Sequence, residues 1–169
     1  MTGRRGLTFD RLDEVMTDVD RLLEGHRTVG NWSLGQILHH LAVAVRLTGR
    51  RRSPPAGGSP IVAALRHSWT RAKYLPVRLV FFRRGRIPEG LEVPMPALDP
   101  PPGVDERAAA RSLGEAIAAL GRAEGPFPAH PLLGPLTRDE WAAFHRIHCA
   151  HHLRFAVPVP ASTPTGVTP

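Results

Sequence analysis

Several features that would assign a function at once are missing from this 169-residue chain. A single cysteine, Cys149, excludes an internal disulfide framework and a cysteine-rich zinc site, and it is typical of the reducing cytoplasm, which is the location we predict. No apolar run reaches the roughly 18 residues of a membrane-spanning helix, and no apolar stretch follows the first arginines as in a secretory signal. The sequence also has no glycine-rich phosphate loop, no G-x-S-x-G elbow and no H-E-x-x-H motif, so these enzyme classes are not predicted.

Acidic residues are absent from a long part of the chain. No Asp or Glu lies between Arg46 and Arg86, whereas acids are frequent in residues 10–24, and the formal net charge is +7. This asymmetry is compatible with nucleic acid, anionic lipid or an anionic small molecule as a partner. A solvated basic face, complemented by the acidic first segment, is the simpler interpretation, because most charge runs are solvated.

Hydrophobic residues at helical spacing are what the chain does have. Three- and four-residue steps predict four or five helices, with candidates at about residues 9–23, 33–49, 61–74, 105–121 and 138–156. Thr8 is expected to cap the first helix. Ser33 with Gln36, and Thr137 with Glu140, have the spacing of capping boxes and predict the start of the second and last helices.

The rest of the chain contains breaks and connections. Pro76 interrupts the third pattern, so residues 79–82 could continue as helix or form a short strand. Residues 50–60 are a predicted loop, and the proline-rich residues 88–103 are a predicted extended connection without regular structure. No internal repeat and no convincing strand pattern is present. We therefore predict an all-α fold, a four-helix bundle with a long crossover connection.

One domain over residues 1–157 is expected from the length of the chain. The Pro/Thr-rich tail, residues 158–169, is expected to be disordered. A homodimer is compatible with a small bundle of this kind.

Histidine is abundant, with nine residues, and six of these lie in two predicted helices. At about 100° per residue, His40 lies within the apolar arc of the second helix, whereas His39 lies on its polar side. The histidines of the last helix share its aromatic, core-facing stripe: His145, His148, His151 and His152. Burying several imidazoles is unfavourable unless each finds a partner, so this stripe indicates a ligand.

His148 and His152 are four residues apart, so their rings lie on one face and could converge on one ion. His40 on a neighbouring helix would complete a three-nitrogen site with an open position, which is typical of catalytic or substrate-binding metal sites. Pairing of His145 with His148, or of His151 with His40, is also consistent with the spacing. Hydrogen-bonded core histidines without a metal are the alternative interpretation. Imidazole ligation suits zinc, nickel, copper or iron.

Other residues are candidates for the surroundings of this site. Gln36 precedes His40 by one turn and could orient its ring, although the capping box is the stronger prediction for Gln36. Trp32 fits a core position better than a substrate platform. His130, in a loop before a proline, is a pocket candidate without an assigned role, and His145 and His151 are pocket candidates where they are not ligands.

Two segments, Gly30–Ala42 and His130–Phe155, resemble the DinB/YfiT-like superfamily of metal-binding four-helix proteins, and more narrowly a bacterial branch labelled a domain of unknown function. The resemblance extends over residues 7–156. It implies a divalent metal held by one histidine of the second helix and two of the last, which by motif position are His40, His148 and His152.

The same resemblance implies a reaction class. Characterised relatives are thiol-dependent transferases and isomerases that use low-molecular-weight thiols such as bacillithiol or mycothiol. The expected function is therefore a metal-dependent transferase or hydrolase acting on an unidentified small molecule. In this chain Leu153-Arg154-Phe155 follows the paired histidines, whereas Arg-Gly-Gln is the commoner ending.

A second function follows from the basic segment alone. The chain could be a non-catalytic binding protein that docks on nucleic acid or an anionic membrane through residues 46–86. Such binding would weaken steeply as the salt concentration rises. The segment has no recognised nucleic-acid motif and no aromatic platform, so nucleic acid is not the expected partner.

Overall fold

The computed structural model describes residues 3–49, 60–87 and 96–159, with the backbone alone for residues 60–71 and Ala97. This part of the chain is mostly helical, as predicted. Its α-helices are α1 (Glu14–Glu24), α2 (Leu34–Gly49), α3 (Pro60–Arg84), α4 (Glu106–Arg122) and α5 (Arg138–Leu153). Most of the predicted 50–60 loop, residues 88–95 of the predicted connection and the tail beyond Val159 lie outside the described residues. None of the described helices is both long enough and apolar enough to cross a membrane.

Four short strands are also present, although the sequence has no convincing strand pattern. β1 (His26–Thr28) pairs antiparallel with β4 (Ala156–Pro158), and β2 (Ala129–His130) pairs with β3 (Gly134–Pro135). Each strand has two or three residues, too few to produce a two-residue hydrophobic period. Pairing of β4 also explains why α5 ends at Leu153, before the predicted residue 156.

The predicted helix boundaries are correct where a local cap defines them. Ser33 and Gln36 exchange capping hydrogen bonds at 3.0 and 3.2 Å, and Thr137 and Glu140 form a complete capping box. The predicted start of α1 is wrong, because the helix begins at Glu14. Thr8 therefore lies outside the helix it was expected to cap.

Prolines lie within α3, at its start and in the connection that follows it. The helix continues through Pro76, which lies on its exposed side, so residues 75–82 are helical. Pro60 occupies the first helical position, where a missing N–H is tolerated. The proline-rich connection contains a short 3-10 helix, Pro96–Leu98, although no regular structure was expected there. The fixed φ of proline is compatible with such a turn.

The main core is formed by α1, α2, α4 and α5, and its most buried side chains are almost all aliphatic. These are Val15, Val19, Leu22, Leu34, Leu38, Leu41, Val45, Leu113, Leu120 and Leu153. Packing is closest between α2 and α4. At Gly35, an added Cβ would lie 2.2 Å from the carbonyl oxygen of Val104, so only glycine fits this approach.

A smaller second core contains Leu133, Leu136 and Trp141, with Phe81 and Phe82 of α3 packed against it. The described side chains of the second half of α3 therefore pack against the β2–β3 hairpin and the start of α5. The described fold is thus five helices with two small strand pairs, and the predicted four-helix bundle with a crossover stays a prediction.

The N-terminal segment joins α1 to the end of α5. Both Arg5 Nη atoms donate to the Asp18 carboxylate at 2.7 Å, and Nη2 also donates to the carbonyl oxygen of Leu153 at 3.1 Å. The backbone N–H of Arg5 donates to the Arg154 carbonyl at 3.0 Å. These bonds fix the last turn of α5, which contains His152.

Candidate metal centre

The structure brings together the three histidines that helical spacing selects. His40 of α2 and His148 and His152 of α5 each offer one ring nitrogen, and these three atoms lie within 4.8 Å of one another. The His40 and His148 Nε2 atoms are 3.2 Å apart. His40 and His148 are buried, whereas His152 is half-buried. We call these residues the histidine cluster.

A backbone carbonyl orients His40. Its Nδ1 lies 2.9 Å from the carbonyl oxygen of Leu98, at the end of the 3-10 helix. Because a carbonyl oxygen only accepts, Nδ1 carries the proton and the lone pair of the neutral ring is on Nε2, which faces His148. Metal-bound histidines commonly have such an outer hydrogen bond.

Burial keeps the imidazoles of the cluster neutral. Desolvation lowers the pKa of His40, and the Leu98 hydrogen bond and the Asp99 charge oppose it only in part. Desolvation, followed by the neighbouring histidines, lowers the pKa of His148 well below its ordinary value and that of His152 to about 3. Since the neutral ring is the form that binds a metal, the cluster is ready to coordinate at neutral pH.

The spacing of the nitrogens fits one ion. Zinc–nitrogen bonds of about 2.1 Å in a tetrahedral site place nitrogen pairs about 3.4 Å apart. The 3.2 Å separation of His40 and His148 is close to this value. The other nitrogen pairs of the cluster are at most 4.8 Å apart, and ring movements of about 1 Å would bring them to the tetrahedral separation. The cluster could therefore hold a divalent metal ion.

Comparison with known proteins gives the family of the chain. The family model described as protein of unknown function (DUF1569) matches residues 1–159. The chain belongs to this family. No curated protein and no solved structure matches it. Membership in the DUF1569 family leaves the activity open, so the chemistry has to be argued from the site.

Trp32 borders the cluster of this DUF1569 protein. Its ring stacks on His152, with centroids 5.7 Å apart and an interplanar angle of 14°, and lies 5.1 Å from His40. Trp32 is half-buried and packs on the main core, so it is both a core residue and a wall of the site. His152 and Trp32 are more exposed than the other two histidines of the cluster.

The hydrogen bonds of the Gln36 side chain go to partners other than His40. Its side chain completes the capping box with Ser33 and donates to the carbonyl oxygen of Pro101 at 3.3 Å. The orienting role suggested for Gln36 is therefore taken by Leu98. Sequence reasoning does not identify Leu98, because any residue has a backbone carbonyl and no side-chain signal marks this one.

His145 lies outside the cluster. Its Nε2 is 2.9 Å from Thr48 Oγ1 on α2, and its ring stacks on Trp141 at 5.6 Å. Complete burial lowers the pKa of His145 to about 3. The alternative pairing with His148 is not favoured, because the two ring centroids are 6.5 Å apart.

His130 and His151, the other pocket candidates, have separate surroundings. The Nδ1 of His130 accepts hydrogen bonds from the N–H groups of Leu132 and Leu133 at 3.1 Å, and burial lowers its pKa to about 4. His151 lies against the rings of His152 and Phe155. His151 is not part of the group of three histidines that could hold a metal ion in the described residues, and its pairing with His40 stays a prediction.

Cys149 contributes no reactive group. Its thiol is buried in the main core of the DUF1569 fold, and burial raises its pKa to about 12. A thiol with this pKa is protonated at neutral pH and is therefore neither a metal ligand nor a nucleophile. His40, His148 and His152 are thus the group that could hold a metal ion among the described residues.

Proposed function

We propose that this DUF1569 protein binds a divalent metal through His40, His148 and His152 and uses it in the reaction of a small molecule. The observation that supports this proposal is the convergence of three neutral imidazole nitrogens from two helices within 4.8 Å. The hydrogen bond from His40 to Leu98, of the kind found behind metal ligands, adds to it.

The ligand set determines what kind of site this would be. Three protein nitrogens leave a tetrahedral ion with one position open, whereas a structural site is closed by four protein ligands. When bound, the ion would supply Lewis-acid chemistry and lower the pKa of a water or thiol. Trp32 and His152 would border the incoming molecule, and the buried pair His40 and His148 would hold the ion from the core side.

Within this proposal the fold is a DinB-like helical bundle and the reaction is a transfer to or from a low-molecular-weight thiol, or a hydrolysis. The resemblance of residues 30–42 and 130–155 to DinB-like proteins supports this class. The residues after the paired histidines serve packing in this chain: Leu153 is fully buried, and the Phe155 ring contacts the guanidinium groups of Arg4 and Arg154. Zinc, nickel, copper and iron all accept three imidazoles.

Metal analysis of untagged protein tests the ligands. We expect about one bound ion per chain in the wild type and a loss of at least about tenfold in His40→Ala, His148→Ala and His152→Ala. His39→Ala is the matched control, because His39 is adjacent to His40 on α2 but does not belong to the cluster. Unchanged stoichiometric metal in the His40 and His148 variants would reject the assignment.

A separate assay tests the reaction class. Metal-loaded and chelator-treated protein would be compared for transfer of low-molecular-weight thiols to a chromogenic electrophile and for hydrolysis of activated esters. We expect one activity that requires both the metal and His152. Absence of both activities from metal-replete protein would refute the reaction class. It would not contradict the metal site.

A further inference from the structure

Exposed apolar side chains are concentrated on one stretch of α3. Leu75, Val77, Leu79 and Val80 are each about half exposed, at 50, 52, 54 and 49%. The remaining large apolar side chains exposed in the described residues, Leu132 and Val159, are single and less accessible. Several exposed apolar side chains on one short stretch of helix mark an interaction site more often than scattered residues do.

Contacts on the opposite side of α3 fix the outward orientation of these residues. Arg78 is buried, donates to the carbonyl oxygen of Pro135 at 3.0 Å and forms an ion pair with Glu140. Phe81 and Phe82 pack on the second core. Because one side of the helix is anchored, the apolar residues cannot turn inward without breaking the ion pair between the buried Arg78 and the half-buried Glu140.

The same exposed half of α3 is basic. Lys73, Arg83 and Arg84 are exposed, and Arg86 follows the glycine that ends the helix, Gly85, whose φ is +58°. No acidic residue occurs in this part of the sequence. We call the exposed residues of 72–86 the outer face of α3.

We infer that the outer face of α3 docks this protein on an anionic lipid surface. Leucine and valine side chains would enter the boundary between headgroups and acyl chains, while arginine and lysine side chains extend to lipid phosphates. Each basic residue near an anionic surface adds to the attraction. This inference does not depend on the metal site.

Other occupants fit the outer face less well. A symmetric contact between two copies of α3 would bring like charges together without an acidic residue to pair with them. Nucleic acid would leave the leucines without a partner, and the aromatic residues Tyr74, Phe81 and Phe82 are half-buried rather than exposed for base stacking. An anionic membrane satisfies both the apolar and the basic side chains.

Vesicle co-sedimentation of the full chain tests this inference. We expect binding to phosphatidylcholine vesicles that contain about one third phosphatidylglycerol, little binding to pure phosphatidylcholine, and weaker binding at high salt. Leu75→Ser/Leu79→Ser should lower the partition coefficient by about tenfold, and Arg83→Gln/Arg84→Gln by about 30-fold. Arg107→Gln/Arg111→Gln, which removes two exposed charges from α4, is the control and should retain binding.

Three results would overturn the inference. The first is no binding to anionic vesicles, or equal binding to both vesicle types. The second is an equal loss in the α4 control, which would indicate a general effect of net charge. The third is another occupant: tighter binding to DNA at the same salt, or a dimer in sedimentation that Leu75→Ser/Leu79→Ser dissolves. Unchanged circular dichroism and metal content would show that the α3 variants are folded.

Discussion

Gly35→Ala is the substitution whose effect the structure defines most sharply. Gly35 lies in the first turn of α2, where this helix meets the segment that leads into α4. The added Cβ would lie 2.2 Å from the Val104 carbonyl oxygen and 3.0 Å from the Val104 carbonyl carbon. Both atoms belong to the backbone, so no side-chain rotation relieves the contact.

The magnitude follows from the displacement required. Ordinary van der Waals separation asks the Val104 segment to move by about 1 Å, and overpacking of this kind lowers the free energy of unfolding by about 1–3 kcal/mol. Alanine gains up to about 1 kcal/mol over glycine in a helix, which offsets part of this loss. A net destabilisation of about 1–2 kcal/mol corresponds to a fall in melting temperature of about 3–8 °C for a chain of this size.

The displaced segment also carries the carbonyl that orients His40. Leu98 and Pro101 are both hydrogen-bonded to α2, through His40 and Gln36, and Val104 is the next contact along the same segment. We therefore expect Gly35→Ala to weaken metal binding by about tenfold, as loss of an outer hydrogen bond does.

Thermal unfolding of chelator-treated protein and competitive metal titration measure the two effects. Gly114→Ala is the matched control: the new Cβ would lie at an ordinary 3.5 Å from Met16 Cε on α1, so helix propensity should raise stability by about 0.5–1 kcal/mol. A melting temperature of Gly35→Ala equal to or above that of the wild type would refute the argument from close approach.

Three further predictions concern buried polar groups. Burial lowers the pKa of His145 to about 3, so below a pH of about 6.5, the pKa in the unfolded chain, the unfolded chain binds one more proton than the folded chain. The free energy of unfolding of metal-free protein should therefore decrease by about 1.4 kcal/mol for each unit by which the pH falls below this value. A free energy of unfolding that stays constant between about pH 7 and 5 would contradict this prediction. Thr48→Val leaves the buried Nε2 of His145 unpaired and should lower stability in urea by about 1–3 kcal/mol, whereas an unchanged midpoint would exclude a stabilising bond. Asp18→Asn weakens the two-point contact with Arg5 and should lower stability by about 2 kcal/mol; Asp20→Asn, exposed on the same helix, should have little effect, and equal losses would count against the ion pair.

Helices that begin with a local cap could be predicted from the sequence. The capping boxes at Ser33 and Thr137 place the starts of α2 and α5 correctly, because every atom involved lies within four residues. The start of α1 could not be placed in this way. Phe9 and Leu12 continue the apolar period and pack with the main core, but they precede the helix, since periodicity reports burial rather than backbone conformation.

For the candidate site, the sequence predicts on which side of its own helix each histidine lies. Helical geometry alone places His40 inward on its helix and His148 with His152 on one face of theirs. The hydrogen bond from His40 to Leu98 joins residues 58 positions apart, and β4 pairs with a strand near α1 at the other end of the chain. Such contacts depend on tertiary packing, which a hydrophobic period does not encode.

The pairing of β1 with β4 has a consequence for the kinetics of the candidate metal site. The amide of Val29 donates to the Phe155 carbonyl oxygen at 2.8 Å, and that of Val159 donates to the Gly25 carbonyl oxygen at 3.0 Å. The strand pair therefore begins directly after the turn that contains His152. The backbone that follows His152 can separate from β1 only when these hydrogen bonds open. Hydrogen exchange at the Val29 and Val159 amides would therefore measure how often this strand pair opens and frees the backbone next to His152.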